Sequence, residues 1–306
     1  MSRIPRLLLD GETATYHVIV RAVLPGFPMG DEEKDYLLRI LRRLGKVYFA
    51  ELLGFCLMGD HVHLVVRMHT GEGVSDREMH ERFRCYYGED TKKRLPEGEI
   101  AGLRAKWASL SEYVREVKQS FSRWYNRAQG RRGFFWGERF KSLVVEDGNP
   151  LVHLLAYVDL NPVRAGLVER PEEYRWSTLG YHAQTGNEDG LLSLDFGLED
   201  LAGADDGERL RRYRTFVSEA SAAPLGEEEA VAGGPEAEGG RRPSGADPFL
   251  RRNRYFIDGG VIGSKEFVAA CSRRFHDHFT CRHEKKPQRV PGLEGVYSLK
   301  RLRKGV

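Results

Sequence analysis

Leu57-Met58-Gly59-Asp60-His61-Val62-His63-Leu64-Val65-Val66 is the stretch on which the fold turns. Val47 to Met58 is apolar and reads as a strand. Gly59-Asp60 is a two-residue Gly-X loop of the kind that closes hairpins, and His61 to Met68 is the returning strand. Upstream, Tyr16 to Val23 reads as a strand with Tyr16, Val18, Val20 and Ala22 on one face. A helix follows, with Asp31 as its expected cap, Leu37, Ile40, Leu41 and Leu44 as its apolar stripe and Gly45 as its stop. Downstream, Gly71 to Ala108 is polar and helical in flavour, as an insertion would be. Ser109 and Glu112 form a capping box. Leu110, Val114, Val117, Phe121 and Trp124 give the next helix its stripe, which Gly130-Arg131-Arg132-Gly133 ends. Lys141 to Glu146 reads as a short strand. Asn149 then caps a helix with Pro150 at its first position, running to about Leu160. The order strand, helix, strand, strand, helix, strand predicts a ferredoxin-like α+β sandwich, an antiparallel sheet with helices on one face, plus an extra helix at its end.

The chain has 306 residues, 41% apolar and 30% charged. That composition excludes collagen-like, wholly disordered and disulfide-scaffold chains. Mean hydropathy is −0.50, and no apolar run is long enough to span a bilayer. The start, Met1-Ser2-Arg3-Ile4-Pro5-Arg6-Leu7-Leu8-Leu9, is too short in apolar residues for a secretory core. Four scattered cysteines (Cys56, Cys85, Cys271, Cys281) fit reduced thiols, so a cytoplasmic location is expected. Residues 1–185 are expected to form the main domain, with the insertion at about 71–108. Residues 186–246 read as a partly ordered region and a Gly/Glu/Pro-rich linker, and 247–306 as a basic C-terminal extension.

The net charge is only +3 but unevenly placed. Ala101 to Val145 holds ten Lys/Arg against three Asp/Glu, and Phe249 to Val306 fourteen against five. Interleaved aromatics (Phe121, Trp124, Tyr125, Phe134, Phe135, Trp136, Phe140) suit a polyanion with faces to stack on, such as single-stranded nucleic acid. A solvated helix face with core aromatics gives the same pattern.

On a strand His61 and His63 share a face, while Val62, Leu64 and Val66 point into the core. Two imidazoles about 7 Å apart along one strand can converge on a metal ion. Two half-buried histidines with local hydrogen bonds are the plainer alternative. His153, Tyr157 and Asn161 are spaced by four on the late helix and fall on one face. A tyrosine beside a metal can attack a phosphodiester, and the Asn161 amide oxygen is a suitable hard ligand. Tyr157 as core and Asn161 as a cap for the turn opened by Pro162 are the competing readings.

Four blocks in order resemble the REP-associated tyrosine transposases, within the HUH single-tyrosine transposases of insertion sequences. They are Gly11 with Tyr16-His17-Val18-Ile19-Val20-Arg21; Leu57-Met58-Gly59-Asp60-His61-Val62-His63-Leu64; Trp124-Tyr125-Asn126-Arg127 with Gly133-Phe134-Phe135-Trp136-Gly137-Glu138-Arg139-Phe140-Lys141-Ser142; and Tyr157-Val158-Asp159-Leu160-Asn161-Pro162-Val163-Arg164-Ala165-Gly166-Leu167-Val168. The resemblance spans about residues 10–180. It implies an HUH nuclease domain acting on single-stranded, hairpin or palindromic-repeat DNA as a monomer or homodimer. His61 and His63 would be the paired metal ligands, Asn161 the third, Mg²⁺ or Mn²⁺ the ion and Tyr157 the nucleophile. The implied reaction cleaves and rejoins a strand through a 5′-phosphotyrosine. Three departures stand out: Asp60 where many members have Asn, His153 as a competing third ligand, and the long insertion, which would cover the site or alter DNA choice.

Arg123, Arg127, Arg131, Arg132, Arg139 and Lys141 are the candidate phosphate contacts. Trp136 is a candidate base stacker or a core residue. Arg164 would hold the scissile phosphate or pair with Asp159 or Glu169. Tyr113 and Tyr125 are rival nucleophiles, more readily read as packing. Cys271, His276, His278, Cys281 and His283 have a loose zinc-like spacing but lack a Cys-x-x-Cys pair. A catalytically silent regulator that binds structured nucleic acid is the alternative function.

Overall fold

The computed structural model describes residues 6–9, 11–88, 90–137, 139–198, 203–222, 255–276 and 286–299. Within the stretch expected as a partly ordered region and linker, 199–202 and 223–246 lie outside these residues, as do His278, Cys281 and His283. The elements run β1 (Ala14–Arg21), α1 (Asp31–Gly45), β2 (Ala50–Leu57), β3 (His61–Met68), α2 (Asp76–Tyr87), α3 (Ile100–Trp107), α4 (Leu110–Ala128), β4 (Lys141–Val145), α5 (Asn149–Asp159), α6 (Asn161–Arg164), α7 (Thr178–Thr185), α8 (Asp206–Ala222), α9 (Tyr255–Asp258), β5 (Val261–Gly263), α10 (Lys265–Arg274), β6 (Gln288–Arg289) and β7 (Tyr297–Ser298).

Two interleaved units, β1-α1-β2 and β3-α4-β4, give the sheet order β2-β3-β1-β4 with every neighbour antiparallel. This is the ferredoxin-like α+β arrangement. The β2–β3 hairpin closes over Gly59-Asp60, with the Met58 N–H donating to the His61 carbonyl at 2.8 Å. Caps differ from expectation by a residue. Gly30, not Asp31, stands before α1, and the Glu33 carboxylate accepts from the Gly30 N–H at 3.0 Å. Asp31, Glu32 and Glu33 then occupy the first turn, where they complement the helix dipole. Before α5 the cap position belongs to Gly148, whose φ of 85° suits glycine, so Asn149 is already helical.

The His61/His63 face does not look out on solvent. Gly54 lies across from Val65, and a Cβ on it would come within 2.5 Å of Leu155 on α5. The missing side chain lets α5 close over the face that carries Val65, His63 and, on β1, His17. The alternate face, with Val18, Val62, Leu64 and Val66, is buried beneath α1 and α4, which pack side by side. The extra helix is therefore the second cover of a sheet buried on both sides.

The insertion builds α2 and α3 at the far end of β3. Arg82 donates to the Val47 and Tyr48 carbonyls, and the Phe49 N–H to the Trp107 carbonyl. It thus braces the Met68 end of the strand, not the end with the histidines, and does not cover them. Beyond α8 the chain returns to the same sheet: β5 pairs in parallel with β4, and β7 and β6 extend it.

Candidate functional site

The antiparallel register places His17 diagonally beside His63, because Ile19 lies across from His63 and His17 across from Val65. The His17 Nε2 is 2.8 Å from the His63 Nδ1, and the His17 Nδ1 is 2.8 Å from the Phe256 carbonyl oxygen. Both rings are almost fully enclosed. Burial pushes the His17 imidazole down to about 4 and holds His63 well below the usual range, where His61, His17 and Arg164 add like-charge repulsion. Full enclosure of the two rings favours their neutral forms. His61 sits at the mouth of the hairpin, and its ring centroid is 5.0 Å from that of His63. Its Nδ1 lies 2.6 Å from an Asp60 carboxylate oxygen, which can only accept, so Nδ1 carries the proton. Asp60 also accepts from Arg21 at 2.9 Å. The His61 and Arg21 hydrogen bonds hold the Asp60 carboxyl below the usual carboxylate range.

Tyr157 reaches this cluster from α5. Its ring is edge-on to His63 at 6.1 Å and to His17 at 6.4 Å, and lies 4.9 Å from the ring of Phe256. The residue is only 2% exposed. The Arg164 guanidinium stands 4.2 Å from the Tyr157 ring centroid and donates to the Tyr157 carbonyl at 2.8 Å. Its expected alternative partner, Asp159, accepts instead from the Leu179 N–H at 3.0 Å and the Tyr213 hydroxyl at 2.5 Å. Asn161 opens α6 half-buried, and is not among the hydrogen-bond partners of either strand histidine. His153, the competing ligand, meets the ring of Phe216 on α8 edge-on at 5.1 Å, so α5 does not bring it to the cluster. Its spacing of four from Tyr157 was misleading because α5 is buried between the sheet and α8.

Among the described residues no group of three or more His, Cys, Asp or Glu converges as a metal cage. The donor chemistry of His61 and His63 nonetheless fits a divalent ion. In each ring Nδ1 is engaged inside the protein, which leaves Nε2 as the edge available to a ligand. Histidine ligands commonly show this pattern. A divalent ion on two imidazoles would take its remaining donors from water, amide or phosphate oxygens.

No protein-family model matches the sequence, and no curated protein does. Several solved structures are similar, among them one of a transposase complex. It is described as a REP-associated tyrosine transposase bound to a REP hairpin, is 18% identical, and matches with a TM-score of 0.41 over 64% of this chain and 90% of that one.

The basic residues divide into three groups. Arg127, Arg132 and Arg139 are exposed. Arg123 and Lys141 are exposed but paired, with Glu116 at 3.3 Å and Asp258 at 2.9 Å. Arg131 is half-buried, its guanidinium 5.9 Å from the ring centroid of Tyr125. Trp136 is core: it is 5% exposed, packs on Phe121 and Phe135, and donates from Nε1 to the Lys118 carbonyl. It cannot stack on a base. Phe134, two residues earlier, is 87% exposed. Its loop bonds to the strand end beside the hairpin mouth, through the Val23 N–H to the Phe135 carbonyl and the Gly137 N–H to the Arg21 carbonyl. Tyr113 and Tyr125 are buried against Tyr48 and Phe135 respectively, away from the histidines. Three contributors escaped the reading of the sequence as site residues: His17, Asp60 as a partner of His61, and Phe256. The first two were legible, since His17 alternates on a strand that pairs with β3 and Asp60 adjoins His61. Phe256 carried no signal.

Proposed function

We propose that this protein is a metal-dependent nuclease and strand transferase of the HUH tyrosine class, a transposase that cuts and rejoins single-stranded or hairpin DNA. The observation that carries the reading is the convergence of the Tyr157 ring on His63, about 6 Å away, beside a second histidine whose Nδ1 is already held. A divalent ion on His61, His63 and Asn161 would polarise the scissile phosphoryl group as a Lewis acid. The Tyr157 phenol oxygen forms a bond to phosphorus and the bond to the 3′ oxygen breaks. The phenol loses a proton and the departing 3′ oxygen gains one. Arg164, fixed over the Tyr157 ring, positions the phenol and adds positive charge beside the phosphate. Reverse attack by a 3′-hydroxyl restores the phosphodiester, so no nucleotide cofactor is consumed.

A second reading has its own support. Tyr157 is 2% exposed, with Phe256 against its ring, and a silent regulator that binds structured nucleic acid would also keep it covered. A denaturing gel of protein with hairpin DNA and Mn²⁺ separates the two. The nuclease yields a covalent protein–DNA band that EDTA removes and Tyr157→Phe abolishes, with hairpin binding kept within about threefold. Salt-sensitive binding without a band from the unaltered protein selects the regulator. Cleavage that survives Tyr157→Phe overturns the assignment of the nucleophile.

A further inference from the structure

The carbonyl of Phe256 belongs to α9, in the C-terminal extension, more than two hundred residues from the strand histidine it meets. A carbonyl oxygen only accepts, so the His17 Nδ1 must carry a proton. A neutral imidazole has one N–H, and the His17 Nε2 is then a bare acceptor. The atom 2.8 Å from that acceptor is the His63 Nδ1, which must in turn donate. The His63 proton is thereby fixed on Nδ1 and its lone pair on Nε2. His61 reaches the same state by another route, its Nδ1–H held by Asp60. The two imidazoles of the His-x-His pair are thus set in the same tautomer by two unrelated partners, one at the hairpin mouth and one buried under α5.

We propose that His17 is a positioning residue which, held by the Phe256 carbonyl, locks His63 as the Nδ1–H tautomer and so presents its Nε2 lone pair to a divalent cation. This rests on the reading of His61 and His63 as metal ligands. It extends that reading by making the C-terminal extension a working part of the site: α9 supplies both the carbonyl that starts the relay and the ring that packs on Tyr157. Partners that orient a metal-bound imidazole commonly change affinity by about 10–100-fold when removed.

The test reads the tautomer directly, in the metal-free, full-length protein. Long-range ¹H–¹⁵N correlation of the histidine rings should show both His17 and His63 protonated at Nδ1 and not at Nε2. A His63 ring protonated at Nε2 overturns the proposal whatever the protein does to DNA. Next, Mn²⁺ binding is measured by titration calorimetry without DNA. His17→Phe removes the acceptor and is expected to scramble the His63 tautomer and weaken Mn²⁺ about 10–100-fold. His17→Gln places an amide oxygen where Nε2 was and should recover most of that loss, which a merely space-filling His17 would not explain. Unchanged Mn²⁺ affinity in a folded His17→Phe protein also overturns the proposal. If that variant does not fold, the tautomer in the unaltered protein still decides. The expected tautomers in a protein that makes no covalent DNA adduct would leave this inference standing and remove the proposed activity.

Discussion

Trp136 and Phe134 sit two residues apart on the turn after α4, and of the two only Phe134, not the candidate base stacker Trp136, is left exposed. Both lie in the same basic, aromatic stretch. Trp136 is drawn inward because its β-bridge to Ala22 ties it to the end of β1, where its ring meets Phe121 and its N–H finds the Lys118 carbonyl. Phe134 follows Gly133, whose φ of 101° turns the chain, and stays exposed between arginines. An exposed aromatic among cations is a stacking platform for unpaired bases, worth about 1–3 kcal/mol per base. Phe134→Ala should therefore weaken binding of a hairpin with a single-stranded tail by roughly tenfold at fixed salt, by fluorescence anisotropy, and leave the urea midpoint unchanged. Trp136→Ala should instead cost about 3–5 kcal/mol of stability. Equal DNA affinity in Phe134→Ala and the parent would remove Phe134 from the interface.

Helix α5 shows why an element can be legible while its surroundings are not. Its Pro150 and its apolar sequence are local signals, and the helix forms within a residue of where they put it. Its orientation depends on Gly54 in β2 and on Asp159, and neither is a local signal. Asp159 is fully buried at the last turn, tied to the α7 backbone and to Tyr213 on α8. Burial raises its carboxyl to about 7, against the opposing hydrogen bonds. In the unfolded chain the group ionises near 3.8. Between those values the native state holds a proton that the unfolded state has lost, so Asp159 makes the fold less stable as pH rises from about 4 to about 7. The effect should be of the order of a few kcal/mol. Asp159→Asn preserves the shape and the acceptor for the Leu179 N–H. It should flatten this part of the profile and be the more stable protein at pH 8 but not at pH 4.5, by urea unfolding. A profile identical to that of the parent would show that Asp159 does not titrate in this window. The strand histidines were legible from alternation alone. His153, the competing third ligand, meets α8 instead of the cluster, because helical spacing says which residues share a face, not which neighbour that face meets.

At the scale of the whole molecule, the part least legible in sequence is the return of the chain to the sheet. β5 is only Val261-Ile262-Gly263, too short for alternation to show, and more than a hundred residues separate it from β4, its parallel neighbour. Parallel pairing needs a long crossover, and no local turn chemistry announces it. What holds the return is visible only in three dimensions. Ser264 donates from its N–H and its hydroxyl to Glu146, the Glu146 N–H donates to the Ile262 carbonyl at 2.9 Å, and Lys141 pairs with Asp258 at 2.9 Å. Ile262 is completely buried between β4 and β7. These ties make the extension part of one sheet, so it should unfold with that sheet and not ahead of it. Ile262→Ala is accordingly expected to lower the stability of the entire chain by about 2–4 kcal/mol, with a single urea transition shifted as a unit. In native-state hydrogen exchange the amides of β5 should open at the same free energy as those of β4. Rapid exchange in β5 beside a protected β4, or an Ile262→Ala protein with an early separate transition, would mean that α9 docks and leaves on its own. Its carbonyl would then be an intermittent partner of His17 instead of a fixed one.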